Sequence, residues 1–398
     1  MKILQIVPSI SLIYGGPSQM VLGLAPALVQ TGVEVTILTT DSNGDRGQAP
    51  LDVPLNQPIE QDGYKIIYFR CSPFRRYKFS LYLLQWLDNH GDEYDIVHIH
   101  ALFSPVSSFA AWVCRRKNIP YILRPLGTLD PADLRKKKRL KQIYAAAIEK
   151  ANIAQAAGIH FTSVEEAKIS HRFGVTTRDI ILPLGVNPGV CVGENSIRVD
   201  FGIGEDLPIV LFMSRIDPKK GLEILIPALE NLIQAGIKFH FIMAGTNPQD
   251  PEYEQKIQTR IHTSSLRSHS TITGFVTGTQ KSALLQAADL FVLPSYYENF
   301  GIAVAEAMVA GVPVVISDGV HIWSDVRNCN GGWVCHNDIQ ELTQQLSLAL
   351  TNPQERQERG RNAREYALNH YSWSAIAQQL IQVYSDLISH NSRNTGNR

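Results

Sequence analysis

Short apolar runs rich in β-branched residues recur along this chain, each followed by a longer stretch of helical character. The rhythm stops once and begins again. Residues 3–7, 33–39, 66–69, 96–99 and 121–123 form the first series, with amphipathic segments such as 17–30 and 104–116 between them. Residues 209–213, 239–243, 271–273, 290–293 and 312–316 form the second. A run that is apolar throughout has no face to give to water, so such a strand must be covered on both sides. That is the condition of a parallel sheet lying between helical layers. Two series therefore predict an α/β protein of two doubly wound, Rossmann-like domains facing a cleft, and 398 residues are the right length for two.

The turn formers Gly185-Val186-Asn187-Pro188-Gly189 mark the boundary, giving domains of residues 1–188 and 189–372. A last helix opens at Tyr371-Ser372-Trp373-Ser374 and runs to about residue 388. The polar tail 389–398 reads as disordered. Lys and Arg number 37 against 37 Asp and Glu, and this balance argues against a nucleic-acid binder, which needs a basic excess. Five cysteines are scattered without a CxxC pair, so a disulfide framework or zinc site is not expected and a reducing compartment fits. The opening residues 1–8 read as a strand, not as a signal peptide. No apolar run approaches the roughly 18 residues that span a bilayer. The expectation is a cytoplasmic protein, at most resting on the inner face of the membrane.

In open parallel sheets ligands bind beyond the carboxyl ends of the strands, so motifs placed there carry weight. Tyr14-Gly15-Gly16-Pro17 follows the first strand; its glycines permit close backbone approach, and the next helix offers free N–H groups to an anion. A plain tight turn is the competing reading, and the GxGxxG spacing of a nicotinamide-dependent oxidoreductase is missing. In Asp95-Ile96-Val97-His98-Ile99-His100, alternation puts both histidines on one strand face. His98 reads as structural and His100 as a polar contact in the cleft; no third ligand supports a metal. Arg215, just past a strand, and Lys220, read as opening the following helix, place cations against a helix dipole, which makes sense when an anion such as a diphosphate sits there. A solvated loop is the alternative.

The strongest signal is the segment from Pro294 to Gly311. A strand ends near Pro294 and a helix begins near Phe300, with Gly301 allowing a ligand to approach and Gly311 closing the helix. Glu306 lies among Ile302, Ala303, Val309 and Ala310, where a carboxylate costs several kcal/mol (roughly) unless its lone pairs are filled. A vicinal diol such as a ribose could fill them, or a basic side chain could. The cations Arg135, Lys136, Lys137, Lys138, Arg139 and Lys141 read first as a solvated helix face, with docking on anionic lipid as the alternative.

Taken together these residues resemble the retaining glycosyltransferases of family 4, which have the GT-B fold, over nearly the whole chain. Glu298 and Glu306 with Asn299-Phe300-Gly301 are similar to that family's E-x7-E motif, Arg215 and Lys220 to its diphosphate-binding pair, and Gly15-Gly16 to its N-terminal glycine loop. The helix from Trp373 resembles the one that crosses back to the first domain. The resemblance implies that Glu306 binds ribose hydroxyls and that Phe300, Gly301 and Ile302 offer N–H groups to the donor. It implies that Glu298 contacts the donor sugar, Phe275 and Val276 line the base pocket, and Arg215 and Lys220 take up charge on the departing diphosphate. No metal or other cofactor is then expected. The acceptor would be a glycan or lipid-linked sugar in cell-surface polysaccharide synthesis. One departure stands out: where many members have a histidine in a Pro-His-Gly turn, this chain has Pro125-Leu126-Gly127. That shifts acceptor-side work toward His100, and makes a nucleotide-sugar-binding subunit with lost or altered catalysis the alternative.

Overall fold

The computed structural model describes residues 1–14, 16–44, 48–72, 78–131, 134, 142–187, 189 and 196–395. The six cations from Arg135 to Lys141 lie outside the described residues, as do Gly15, Pro188 and Cys191. The chain divides into two compact units, Met1–Gly185 with Trp373–Arg398, and Val186–Ser372. Among the described residues no helix is long and apolar enough to cross a membrane.

The first unit is built on an eight-stranded sheet. Its strands are β1 (Lys2–Ile6), β2 (Glu34–Thr40), β3 (Pro58–Gln61), β4 (Tyr64–Phe69), β5 (Ile96–His100), β6 (Tyr121–Arg124), β7 (Gly158–Phe161) and β8 (Asp179–Ile181), in the order β3-β4-β2-β1-β5-β6-β7-β8. All pairs are parallel except β3–β4. The alternation of side chains sorts the core into two layers. Leu4, Ile6, Val97 and Ile99 pack on one face with Leu83, Leu87, Val106 and Ala110 from the Leu81–His90 and Pro105–Lys117 helices. Ile3, Ile37 and Ile96 pack on the other with Leu24 and Leu28 from the Gly16–Val29 helix and Ile376, Leu380 and Tyr384 from the Trp373–Thr395 helix.

That last helix is fixed at its start by a steric lock. A Cβ on Gly23 would stand 2.5 Å from the Trp373 ring, and one on Gly185 2.1 Å, so both glycines are needed for the indole to lie against the backbone. The helix then continues to Thr395, past residue 389 where the sequence reading places a disordered tail. Docking through Ile376, Leu380, Tyr384 and Leu387 supplies the nucleus. Propagation afterwards adds one hydrogen bond per residue fixed, so a polar extension follows readily.

The second unit carries an all-parallel six-stranded sheet. Its strands are β9 (Ile209–Met213), β10 (His240–Ala244), β11 (Ser270–Gly274), β12 (Leu290–Leu293), β13 (Val314–Ser317) and β14 (Gly332–Cys335), in the order β11-β10-β9-β12-β13-β14. From β9 the chain moves outward one way through β10 and β11, then returns to place β12 on the other side of β9. The loops after β9 and β12 therefore part in opposite directions, and a crevice at their carboxyl ends is the expected ligand position in such a sheet.

Candidate active site

The sharpest feature at that switch point is a turn that can only be made with glycine. After β9 the chain runs through Arg215 into a 3-10 turn, Pro218–Lys220, started by Asp217, whose side chain accepts a hydrogen bond from Lys219 N at 3.0 Å. Gly221 follows at φ +71°, and a Cβ there would lie 1.9 Å from the Pro294 carbonyl oxygen at the end of β12. The β9 loop is thus pressed against the β12 loop, and Tyr296 N donates to Lys219 O at 2.8 Å across them. Lys220 closes the 3-10 turn, and the helix opens two residues later, at Leu222, so the sequence reading of Lys220 as the helix start is corrected. The reason is the left-handed Gly221, which breaks the helical path between them.

This contact delivers Lys220 to Glu298. Their side chains form an ion pair, 13% and 23% exposed, between residues 78 apart in the chain. Glu298 is held from behind: its N donates to Gly319 O at 2.8 Å, and its O accepts from His321 N at 3.0 Å. Gly301, at φ +84°, then turns the chain into the Ile302–Val309 helix, whose first N–H groups no side chain caps. Such a helix end carries partial positive charge and spare donors. The helix begins two residues after Phe300, past the left-handed Gly301, and Phe300 itself is buried edge-on against Tyr371, with ring centroids 5.3 Å apart. Asn299 and Ile302 flank the turn half-buried.

Glu306 lies one turn beyond Ile302. Its Oε1 is 2.6 Å from Lys281 Nζ, with 17% and 34% of the side chains exposed. Lys281 belongs to the Gly278–Ala287 helix, entered from β11 past Phe275 and Val276. Phe275 is 74% exposed, an unusual state for a phenyl ring, while Val276 is buried. Arg215 is exposed, and its Nη1 reaches Gln249 Oε1, after β10, at 3.5 Å. Thus Lys220 and Glu298 are brought into contact, Glu306 stands on the adjoining helix, and Arg215 turns toward the β10 loop. Among the described residues no three His, Cys, Asp or Glu side chains gather to hold a metal ion.

Gly16 and His100 belong to the first unit. Gly16 opens the Gly16–Val29 helix after β1. His100 is fully buried, which corrects the expectation of an open polar contact. Alternation does put His98 and His100 on one face, but the Trp373–Thr395 helix covers that face. The protons can be followed through this layer. His160 Nε2 donates to Leu182 O at 3.0 Å, which leaves its Nδ1 to accept from His98 Nε2 at 3.3 Å. His98 Nδ1 then accepts from the Tyr384 hydroxyl at 2.7 Å, and that oxygen accepts from Gln5 Nε2 at 3.2 Å. Gln5 Oε1 accepts from His100 Nε2 at 2.6 Å. Every imidazole is therefore neutral with its proton on Nε2. Burial, the largest cause, holds the pKa of all three well below the usual histidine value; the Arg124 charge comes next at His98 and at His160, where the His98 ring adds to it, while at His100 the His98 ring comes next, ahead of Arg124 and His160.

Sequence reasoning missed Lys281, Gly221 and Tyr384. Lys281 is a lysine on an ordinary helix, and only the fold shows that it meets Glu306. Gly221 could have been suspected, since a glycine follows two lysines just before an apolar helical run.

The profile of the glycosyl transferases group 1 family matches residues 194–366, and that of the glycosyl transferase 4-like domain matches residues 15–185. An uncharacterized glycosyltransferase of Methanocaldococcus jannaschii is 23% identical over 395 residues, which cover 94% of each chain. Sucrose-phosphate synthase from Thermosynechococcus elongatus superposes with a TM-score of 0.76 at 22% identity, over 98% of this chain and 100% of that one. Anabaena HepE, solved in complex with UDP, superposes with a TM-score of 0.76 at 19% identity, over 97% of this chain and 100% of that one. At these identities the two structures establish a shared fold, GT-B.

Proposed function

From the premise that this chain belongs to the group 1, family 4-like glycosyltransferases, we propose that it moves a hexose from a nucleotide-sugar to a glycan or lipid-linked acceptor, retaining the anomeric configuration, in the assembly of a cell-surface polysaccharide. The observation that carries the donor half of this reading is the Lys220–Glu298 pair, which ties the β9 and β12 loops together at the switch point of the second sheet.

In this reading the diphosphate lies against the uncapped end of the Ile302–Val309 helix, with the Gly301 and Ile302 N–H groups as donors. Glu306 accepts from the ribose hydroxyls, sharing its oxygens with Lys281. The exposed Phe275 ring gives the base a face to stack on. Glu298, already oriented by Lys220, accepts from a hydroxyl of the donor sugar. The bond from the anomeric carbon to the β-phosphate oxygen breaks with its electron pair going to that oxygen. Lys220 and Arg215 stabilise the charge there, the largest electrostatic task of the step. The acceptor hydroxyl attacks from the same face, and its proton passes to the departing phosphate. HepE, which shares the fold, was solved in complex with UDP, and this supports a nucleotide-sugar as the donor.

The departure at Leu126 favours one second reading, a nucleotide-sugar-binding subunit with altered catalysis. A screen of UDP-, GDP- and ADP-sugars with purified protein, scored by nucleotide release, decides between them. Release from one donor class, lost in Glu306→Gln, supports the transferase. Tight donor binding with no release across a broad acceptor panel supports the subunit.

A further inference from the structure

The loop that carries Arg215 is gripped on both flanks. On the β12 side Gly221 lies against Pro294 O. On the β10 side Gly245 does the same work at φ +133°, where a Cβ would stand 1.9 Å from Ser214 O. With no side chain between them, the two loops go on pairing past the ends of β9 and β10. Ser214 N donates to Ala244 O at 3.1 Å and Ile216 N to Thr246 O at 3.4 Å. Arg215 stands between these two bonds, so the backbone on either side of it is fixed.

Asn247, 2% exposed, is the centre of this grip. Its Nδ2 donates to Ile216 O at 2.9 Å, and its Oδ1 accepts from Gln249 N at 3.2 Å. One end of the amide meets a carbonyl and the other an N–H, so a single orientation satisfies both. The main chain is used as well: Asn247 N donates to Glu254 Oε2 at 2.5 Å, and Asn247 O accepts from Asp250 N at 3.0 Å. One buried side chain thus ties the residue after Arg215 to Gln249, whose Oε1 receives Arg215 Nη1 at 3.5 Å.

That the oxygen offered to Arg215 belongs to an amide decides what the guanidinium can do. A carboxylate there would make a charge-assisted pair and cancel the positive charge, whereas an amide oxygen gives direction and leaves the charge in place. Glu254, the carboxylate built into this loop contact, is occupied on both oxygens, by Asn247 N on Oε2 and by Gln258 Nε2 on Oε1 at 3.1 Å. Among the described residues no carboxylate pairs with Arg215. The guanidinium is aimed, exposed and still charged.

We propose that Asn247 is a positioning residue for the transfer step, holding the Arg215 guanidinium, through Ile216 and Gln249, where charge gathers on the β-phosphate. The inference rests on the reading of Arg215 as a partner of the departing diphosphate. It adds that a buried amide of the β10 loop sets where that charge stands. A residue acting in this way matters to a ligand that has a β-phosphate and not to one that lacks it.

The test is calorimetry on the full chain with UDP, GDP and ADP. The tightest of the three is then compared with its own monophosphate in Asn247→Ala, Arg215→Ala and the double variant. Asn247→Ala should weaken the diphosphate by about tenfold or more, a displaced charge being the cause, and the monophosphate by less than about twofold. In the Arg215→Ala background the same substitution should change diphosphate affinity by less than about twofold, because residues acting as one unit do not add. Gln249 is exposed, so Gln249→Glu decides the matter should Asn247→Ala fail to fold. By pairing with Arg215 it should weaken the diphosphate about three- to fivefold, the scale of an exposed ion pair, and spare the monophosphate. Equal losses for the two ligands, additive losses in the double variant, or wild-type diphosphate affinity in Gln249→Glu overturns the proposal. If Arg215→Ala weakens the diphosphate while Asn247→Ala and Gln249→Glu do not, only the positioning inference falls. If Arg215→Ala leaves it unchanged, or none of the three diphosphates binds, the donor reading falls and this inference with it.

Discussion

Gly221→Ala separates the two demands that the β9–β12 contact makes on its glycine. The first is conformational: at φ +71° an alanine pays the left-handed penalty of about 1–2 kcal/mol. The second is steric, because the new Cβ would stand 1.9 Å from Pro294 O, and real Cβ atoms essentially never come closer than 3.0 Å. The two loops must therefore part by about 1 Å, and with them Lys220 and Glu298. Gly236 is the matched control. It lies just past the same helix at φ +76°, with nothing within 4 Å of its Cβ position. Gly236→Ala should lower the urea midpoint by the equivalent of about 1–2 kcal/mol and leave UDP affinity and nucleotide release unchanged. Gly221→Ala should lower the midpoint further and slow nucleotide release by about 100-fold, since a 1 Å displacement of catalytic groups carries that order of loss. If the two variants match in both stability and turnover, the steric argument is wrong and the loop contact does not organise the site.

Phe275→Ala should leave stability unchanged, because the ring is 74% exposed, and weaken UDP by about 5- to 100-fold if a base stacks on it, as calorimetry would show. Lys281→Met should cost less than about 1 kcal/mol of stability, the pair being partly solvated. It should weaken UDP by about tenfold through loss of Glu306 positioning, with Lys281→Arg restoring most of the affinity. The buried histidines predict an acid-sensitive first unit. In the folded chain His98, His100 and His160 resist protonation, whereas in the unfolded chain they take up protons below about pH 6.5. The unfolded state then binds more protons, so their contribution is fully present above that pH and is lost as pH falls. The limiting slope from three such groups is about 4 kcal/mol per pH unit, and His160→Gln should flatten the dependence of the urea midpoint between pH 7.5 and 5.5 by about a third.

How much of this was legible in the sequence depended on whether a residue's neighbours lay along the chain or across it. β9 and β12 were readable to the residue because each is a continuous apolar run buried on both faces. β3 was missed because Pro58–Gln61 is an exposed, antiparallel edge with only one apolar side chain. β7 was missed because Gly158 and His160 interrupt its pattern. The Glu298-to-Glu306 spacing is local and was visible, whereas the lysines that hold those carboxylates arrive from 78 and 25 residues away. His100 shows the limit most clearly. Alternation gave its face of the strand, but that the face is roofed by a helix nearly 300 residues downstream belongs to the topology alone.

The most direct test of the account is the dissociation constant of UDP for the wild-type chain and for Lys220→Met and Glu306→Gln, each confirmed as folded by circular dichroism. Measurable binding by the wild type, weakened at least tenfold by each substitution, is the result expected of a diphosphate and a ribose held at the β9–β12 switch point. Undiminished UDP affinity in both folded variants would contradict it.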